Sequence, residues 1–134
     1  MPSLLVVEDN ALLVSTMVRF LRDQGKLDVA AVVPSAEAAL EYLRITRVDL
    51  ALVDVALPAM NGIDLVAILS KRYPELPCLM LSGHNEADYV RRALAAGAKG
   101  YVIKSDPMTI LTAVQKVLAG EIYLSEELRK RILH

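Results

Sequence analysis

The chain has 134 residues, enough for one domain with a substantial core and too few for two ordinary ones. Its formal net charge of -1 lacks the clustered positive charge that grips a nucleic-acid backbone. A hydrophobic share of 54% with one Phe and no Trp makes the core aliphatic, and the single cysteine, Cys78, excludes an intrachain disulfide. Leu79, Met80 and Leu81 beside it mark an inert core position. No stretch approaches the roughly eighteen apolar residues of a membrane span. No basic region leads into a long apolar segment at the N-terminus, so the expected compartment is the cytoplasm.

In chain order, five short aliphatic runs alternate with longer amphipathic stretches. Ser3 to Glu8, Asp28 to Val33, Asp49 to Asp54, Cys78 to Ser82 and Gly100 to Lys104 read as strands. Their near-continuous Val, Leu and Ala content fits strands covered on both faces, hence a parallel sheet with crossover helices. Leu13, Met17, Phe20 and Leu21 recur on one stripe of a helix from Asn10 to Gln24, with Gly25 as its stop. Ser35 caps a second helix with the stripe Ala36, Ala39, Leu40 and Leu43. A third begins near Met60 or Gly62, buries Ile63, Val66 and Ala67, and ends before Pro74.

Asn85 is the expected cap of a fourth helix, answered by Asp88, with Val90 and Leu94 inside and Gly97 at the end. Asp106-Pro107 opens a fifth, because a proline in the first turn forfeits no hydrogen bond. That helix presents Ile110, Leu111, Val114, Val117 and Leu118. Strict alternation of this kind predicts an α/β fold, a doubly wound five-stranded parallel sheet with five helices, flavodoxin-like. After Gly120, Ser125-Glu126-Glu127-Leu128 has a cap and an acidic first turn, the start of another helix. The expected division is a folded unit at 1–120 and, at 121–134, the start of a linker or helix leading to a further domain.

The polar residues of interest fall at the carboxyl ends of the proposed strands: Glu8 and Asp9, Asp54, Ser82, and Lys104. Open α/β sheets gather those ends along one edge. Two acidic sites brought together there repel unless a cation or a proton lies between them. Carboxylates with loop carbonyls make a hard oxygen site suited to Mg²⁺. A lysine and a hydroxyl hold phosphoryl oxygens, and an aspartate carboxylate is itself able to accept a phosphoryl group. Each residue alone has a plainer reading: a helix cap for Asp9, a turn for Ser82-Gly83, a marginal surface lysine for Lys104. Their coincidence at one edge favours a site.

Glu8-Asp9, Asp54 with Pro58 and Gly62 behind it, Ser82, and Lys104 after Gly100-Tyr101-Val102-Ile103 together resemble the receiver domain of two-component response regulators over residues 3 to 119. The stretch from Ala96 to Ser105, with Gly120 to Ser125, resembles the NarL/FixJ (LuxR-type) branch. The resemblance implies that Asp54 accepts a phosphoryl group from a sensor histidine kinase. Asp9, Asp54 and the Ala56 backbone carbonyl would bind Mg²⁺, with Glu8 acting directly or through a water. Lys104 and Ser82 would hold the phosphoryl oxygens, and Tyr101 would turn inward as the Ser82 hydroxyl moves. The alternative for Tyr101 is a half-buried strand tyrosine with its hydroxyl in water.

The implied output is transcription regulation through a C-terminal helix-turn-helix DNA-binding domain, with homodimerisation on phosphorylation. A dimer surface would come from the first or fifth helix, where Val114, Val117 and Leu118 widen an apolar stripe that core packing explains nearly as well. Such a chain is a phosphoacceptor with Mg²⁺-dependent self-phosphorylation and autodephosphorylation rather than a turnover enzyme.

The sequence departs from the family pattern at several places. Asn61 stands where an acidic residue is common, with little consequence expected. Ala56 and His84 occupy the positions that tune phosphoaspartate lifetime. A methyl group cannot orient an attacking water, so slow hydrolysis is expected; His84 either affects water access or faces solvent in a turn. Ser105 follows Lys104 where many receivers have proline, and a cis bond there would cost about 2.5 to 4 kcal/mol.

The competing readings are weaker. A haloacid-dehalogenase-type phosphatase needs a second aspartate two residues after the first, where Ala56 stands. A flavin carrier needs a hydroxyl- and glycine-rich cradle, and Glu8-Asp9-Asn10-Ala11-Leu12 is not one. A receiver that signals through protein contacts without phosphorylation is the remaining alternative.

Overall fold

The computed structural model describes residues 1–83, 87–104 and 106–132. His84, Asn85 and Ser105, with the lifetime role, the helix cap and the peptide-bond geometry expected of them, lie outside the described residues.

Five parallel strands form one sheet: β1 (Ser3–Val7), β2 (Asp28–Val33), β3 (Leu50–Asp54), β4 (Cys78–Ser82) and β5 (Gly100–Ile103), in the order β2-β1-β3-β4-β5. The helices between them are α1 (Ala11–Gly25), α2 (Ala36–Ile45), α3 (Gly62–Arg72) and α4 (Ala87–Ala96), followed by α5 (Pro107–Leu118) and α6 (Glu126–Ile132). This is the doubly wound α/β architecture that the alternation predicts, with six helices among the described residues instead of five.

Two apolar layers sandwich the sheet. Leu4, Val6, Leu50, Leu52, Leu79, Leu81 and Val102 face α1 and α5. Leu5, Val7, Ala51, Val53, Cys78, Met80 and Tyr101 face α2, α3 and α4. Alternate residues of each central strand enter opposite layers, as the two-residue period of a strand requires. Burial of Cys78 pushes its thiol up to about 12, slightly opposed by the charge of Lys99, which makes it inert packing.

The caps follow sequence chemistry. Asn10 Oδ1 accepts from the N–H groups of Leu12 and Leu13, Ser35 Oγ from Ala38, Asn61 Oδ1 from Asp64, and Asp106 from Met108. Asn and Asp are equivalent caps, so Asn61 keeps the start of α3 intact, as expected.

The structure corrects the sequence reading in β2 and at the end of α1. β2 is not covered on both faces: as the outer strand beside β1 it buries Val29 but leaves Val32 39% exposed. At the end of α1 the left-handed residue is Lys26 (φ 54°), while Gly25 stays helical. A Cβ on Gly25 would lie 2.5 Å from Leu111 Cδ1 of α5, the tip of a side chain that would have to shift. Val114 and Val117 are buried in the α1/α5 layer, so core packing accounts for the apolar stripe of α5. No helix among the described residues is long and apolar enough to cross a membrane.

Candidate functional site

Strand register alone assembles the site. Val7 pairs with Val53, which sets Glu8 beside Asp54 just past the end of β1. Asp54 pairs with Leu81, and Ser82 with Ile103, which sets Lys104 beside Ser82. The bonds continue beyond the strands, Val55 N–H donating to Leu81 O at 3.0 Å and Lys104 N–H to Ser82 O at 2.8 Å. Residues 8, 54, 82 and 104 therefore form one row along the carboxyl edge, where this class of sheet carries its chemistry.

Glu8, Asp54 and Ser82 are buried, Lys104 is partly covered, and Asp9 is exposed. One oxygen from each of Glu8, Asp9 and Asp54 falls within 4.8 Å of the others. Lys104 Nζ stands 2.8 Å from Glu8 Oε1 and 2.9 Å from Asp54 Oδ1. The other Glu8 oxygen, Oε2, accepts from Asn10 N–H at 3.1 Å, and Asp54 Oδ1 also accepts from Ala56 N–H at 3.1 Å. Asn10 thus fixes two things at once, the first turn of α1 and the orientation of the Glu8 carboxylate. The sequence reading placed Asn10 inside the helix; an Asn ahead of an apolar-periodic run is a cap signal that would have found it.

Burial, the largest influence on Glu8, pushes its carboxyl above the ordinary range; nearby Asp54 acts in the same sense, while Lys104 and the Asn10 N–H act against it. Burial disfavours the Lys104 charge, yet contact with Glu8 and Asp54 outweighs it and holds the ammonium above its ordinary value.

The acidic cluster fits a hard divalent cation. Glu8 Oε1 is a buried oxygen with no hydrogen-bond partner among the described residues beyond its 2.8 Å ion pair with Lys104. Carboxylate oxygens are the donors Mg²⁺ prefers, and the exposed side at Asp9 leaves room for the waters it retains. A shallow cleft of about 280 Å³ adjoins Glu8 and Asp9 between α1 and the end of β2. Larger concavities of about 700 and 530 Å³ contain none of the residues expected at the site.

Gly62 explains how α3 supports the site. Its N–H donates to Val55 O at 2.8 Å, and any Cβ would collide with the carbonyl of Asp54. Tyr101 is fully buried in the α2/α3/α4 layer, which rules out the half-buried alternative with its hydroxyl in water.

The family model described as "Response regulator receiver domain" matches residues 4–115. The chain belongs to the response-regulator receiver domain family. This receiver is 34% identical over 125 residues to the DNA-binding transcriptional activator DevR/DosR of Mycobacterium tuberculosis, covering 92% of the chain and 58% of that protein. It is 28% identical over 131 residues to the transcriptional regulatory protein DegU of Brevibacillus brevis, covering 97% of the chain and 56% of that protein. The receiver thus spans less than two thirds of these curated relatives.

Among solved structures, a LuxR-family response regulator from Aurantimonas superposes with a TM-score of 0.93 at 25% identity, covering 99% of this chain and 96% of that one. The receiver domain of the NarL regulator of Mycobacterium tuberculosis gives 0.84 at 29% identity, covering 90% and 98%. The resemblance to the NarL/FixJ, LuxR-type branch is borne out.

Proposed function

We propose that this receiver takes a phosphoryl group from a partner histidine kinase onto Asp54 and thereby controls a DNA-binding output domain. The observation that carries this reading is the meeting of Lys104 with Asp54 and Glu8 inside a cluster of three carboxylates. An Asp54 oxygen attacks the phosphorus of a phosphohistidine; the P–N bond breaks, and its electron pair leaves with the imidazole. Asp9, Asp54 and the Ala56 carbonyl would hold Mg²⁺, with Glu8 directly or through a water, and the metal would offset the charge that keeps two anions apart.

Lys104 releases Glu8 and pairs with a phosphoryl oxygen, and the Ser82 hydroxyl binds another. Movement of Ser82 is transmitted along β4 and β5, whose ends are joined by the Lys104–Ser82 backbone bond, to Tyr101. Phosphorylation then shifts an existing equilibrium of the α4–β5 face rather than creating a new state. Homodimerisation is the proposed consequence, and transcription regulation is the output suggested by relatives named as transcriptional regulators.

The test is incubation with acetyl phosphate and Mg²⁺. An acid-stable, base-labile mass increase that disappears in Asp54→Ala is expected, together with a gel-filtration shift if the domain dimerises. An unmodified protein would overturn the phosphoacceptor reading and favour a receiver that acts through protein contacts alone.

A further inference from the structure

The segment after α5 returns to the sheet and seats itself on β5 and α4. Tyr123 forms a parallel bridge with Gly100: Tyr101 N–H donates to Tyr123 O at 3.1 Å, and Tyr123 N–H donates to Lys99 O at 3.0 Å. The outer edge of β5 is thereby partly satisfied by its own chain. Gly100 is shaped for this approach, since a Cβ there would lie 2.9 Å from Tyr123 O and 2.8 Å from Leu79 Cδ1. Ser125 then caps α6 through Leu128 N–H at 3.2 Å. Leu128 is 1% exposed and joins the apolar cluster that contains Tyr101, Val90 and Ala93, with Leu124 and Ile132 packed against it. Arg91 of α4 donates to Arg131 O at 3.2 Å, and Arg129 folds back onto Leu124 O at 3.3 Å.

A helix of seven residues does not hold its shape alone in water. α6 is helical because Leu128 is seated, so its folding and its docking are one event. The seat consists of the backbone of Tyr101 and the surface of α4, the two elements through which a change at Asp54 would travel.

We infer that residues 122–132 are a strap latched onto β5 and α4, and that latching is coupled to the state of Asp54 through Tyr101. This rests on the proposed phosphoacceptor function. A seated strap bears on Tyr101 in two ways: Tyr123 O accepts its backbone N–H, and Leu128 belongs to the apolar cluster in which its ring lies. If modification of Asp54 favours the inward ring, it favours the seated strap, and by linkage a seated strap strengthens occupancy at Asp54. The strap is also the stretch of chain that follows α5, so its seating sets where the polypeptide leaves the receiver.

Amide hydrogen exchange followed by NMR, with Mg²⁺ and beryllofluoride as the phosphoryl mimic, tests the coupling. Exchange at Tyr101, Tyr123 and Leu128 is expected to slow by about tenfold on adding the mimic, within the ordinary range of coupling between sites. Asp54→Ala should abolish this slowing. Leu128→Ala should free the Tyr123 amide and weaken beryllofluoride binding severalfold. Arg91→Ala, a surface change that leaves the core intact, should do the same to a smaller degree.

A response at Ala56 and Lys104 with none at Tyr123 and Leu128 would overturn the latch and leave the phosphoacceptor reading standing. Unchanged beryllofluoride affinity in both folded variants would likewise overturn it. No response at Ala56, Lys104 or the strap would overturn both.

Discussion

Lys104 Nζ lies 2.8 Å from Glu8 Oε1, a buried oxygen that has no other hydrogen-bond partner among the described residues. The lysine thus stands as the cation between two acidic groups that would otherwise repel, since it also reaches Asp54 at 2.9 Å. Removing it with Lys104→Met leaves both carboxylates buried and uncompensated. The expected loss is about 2–4 kcal/mol, below that of a fully enclosed pair because Lys104 keeps some contact with solvent. Mg²⁺ bound at the carboxylates would replace the missing charge, so it should raise the urea midpoint more in the variant than in the parent. An equal rise in both would show that lysine and metal do not share this ground.

Glu8 gives the pH dependence a definite sign. Its folded carboxyl lies above the ordinary 4.5, chiefly because it is buried. Between 4.5 and that raised value the folded state holds more protons than the unfolded one, so stability falls as pH rises. Lys104, raised above 10.5, contributes stability that is present throughout that interval and is lost only as pH climbs through its folded value. Glu8→Gln should remove the acid-side slope, leaving neutral-pH stability unchanged to within about 1 kcal/mol or increased. The same change should weaken Mg²⁺ binding. Urea titrations of parent and variant from pH 4.5 upward decide the first point; parallel curves would contradict it.

Gly62 and Gly83 separate steric need from mere loop composition. A Cβ on Gly62 meets the Asp54 carbonyl, whereas one on Gly83 meets nothing within 4 Å among the described residues. Gly62→Ala is expected to cost about 1–3 kcal/mol as the end of β3 and the start of α3 move apart. It should also slow labelling of Asp54 by acetyl phosphate. Gly83→Ala should be nearly neutral in thermal melts, and a large loss there would mean the loop is tighter than the geometry indicates.

The strand-end row was legible because each of its members interrupts or follows an aliphatic run: Glu8 after Val7, Asp54 after Val53, Lys104 after Ile103. Parallel sheets accommodate polar groups mainly at such ends, so composition and position give the same answer. Local pattern could not say that β2 lies at an edge, because its Val and Ala content matches that of the covered strands; sheet order decides exposure. Nor could it separate Gly25 from Lys26 at the end of α1, where the lysine and not the glycine takes the left-handed conformation. Ile122-Tyr123-Leu124 was readable as the approach to a helix. Its seat on Gly100 was not, since that contact joins positions far apart in the chain and leaves no periodic trace.

Ala56 is expected to set how long the modification would last. Its N–H is fixed on Asp54 Oδ1 at 3.1 Å, which sets the Cβ two residues beyond the phosphoacceptor on an exposed stretch of the loop. From there a methyl group offers no hydrogen bond to a water approaching phosphorus. Asn or Glu at this position supplies one, and a single well-placed hydrogen bond is worth about 1 kcal/mol, roughly fivefold in rate. Ala56→Asn is therefore expected to shorten the lifetime of the phosphorylated protein by about fivefold, with its stability unchanged because the residue is exposed. Release of inorganic phosphate after removal of acetyl phosphate measures this directly. The backbone N–H that holds Asp54 remains in the variant, so a change in rate without a change in labelling would place the effect on water rather than on the nucleophile. Equal decay in the two proteins would mean that water reaches the phosphoryl group from the side of Lys104 instead.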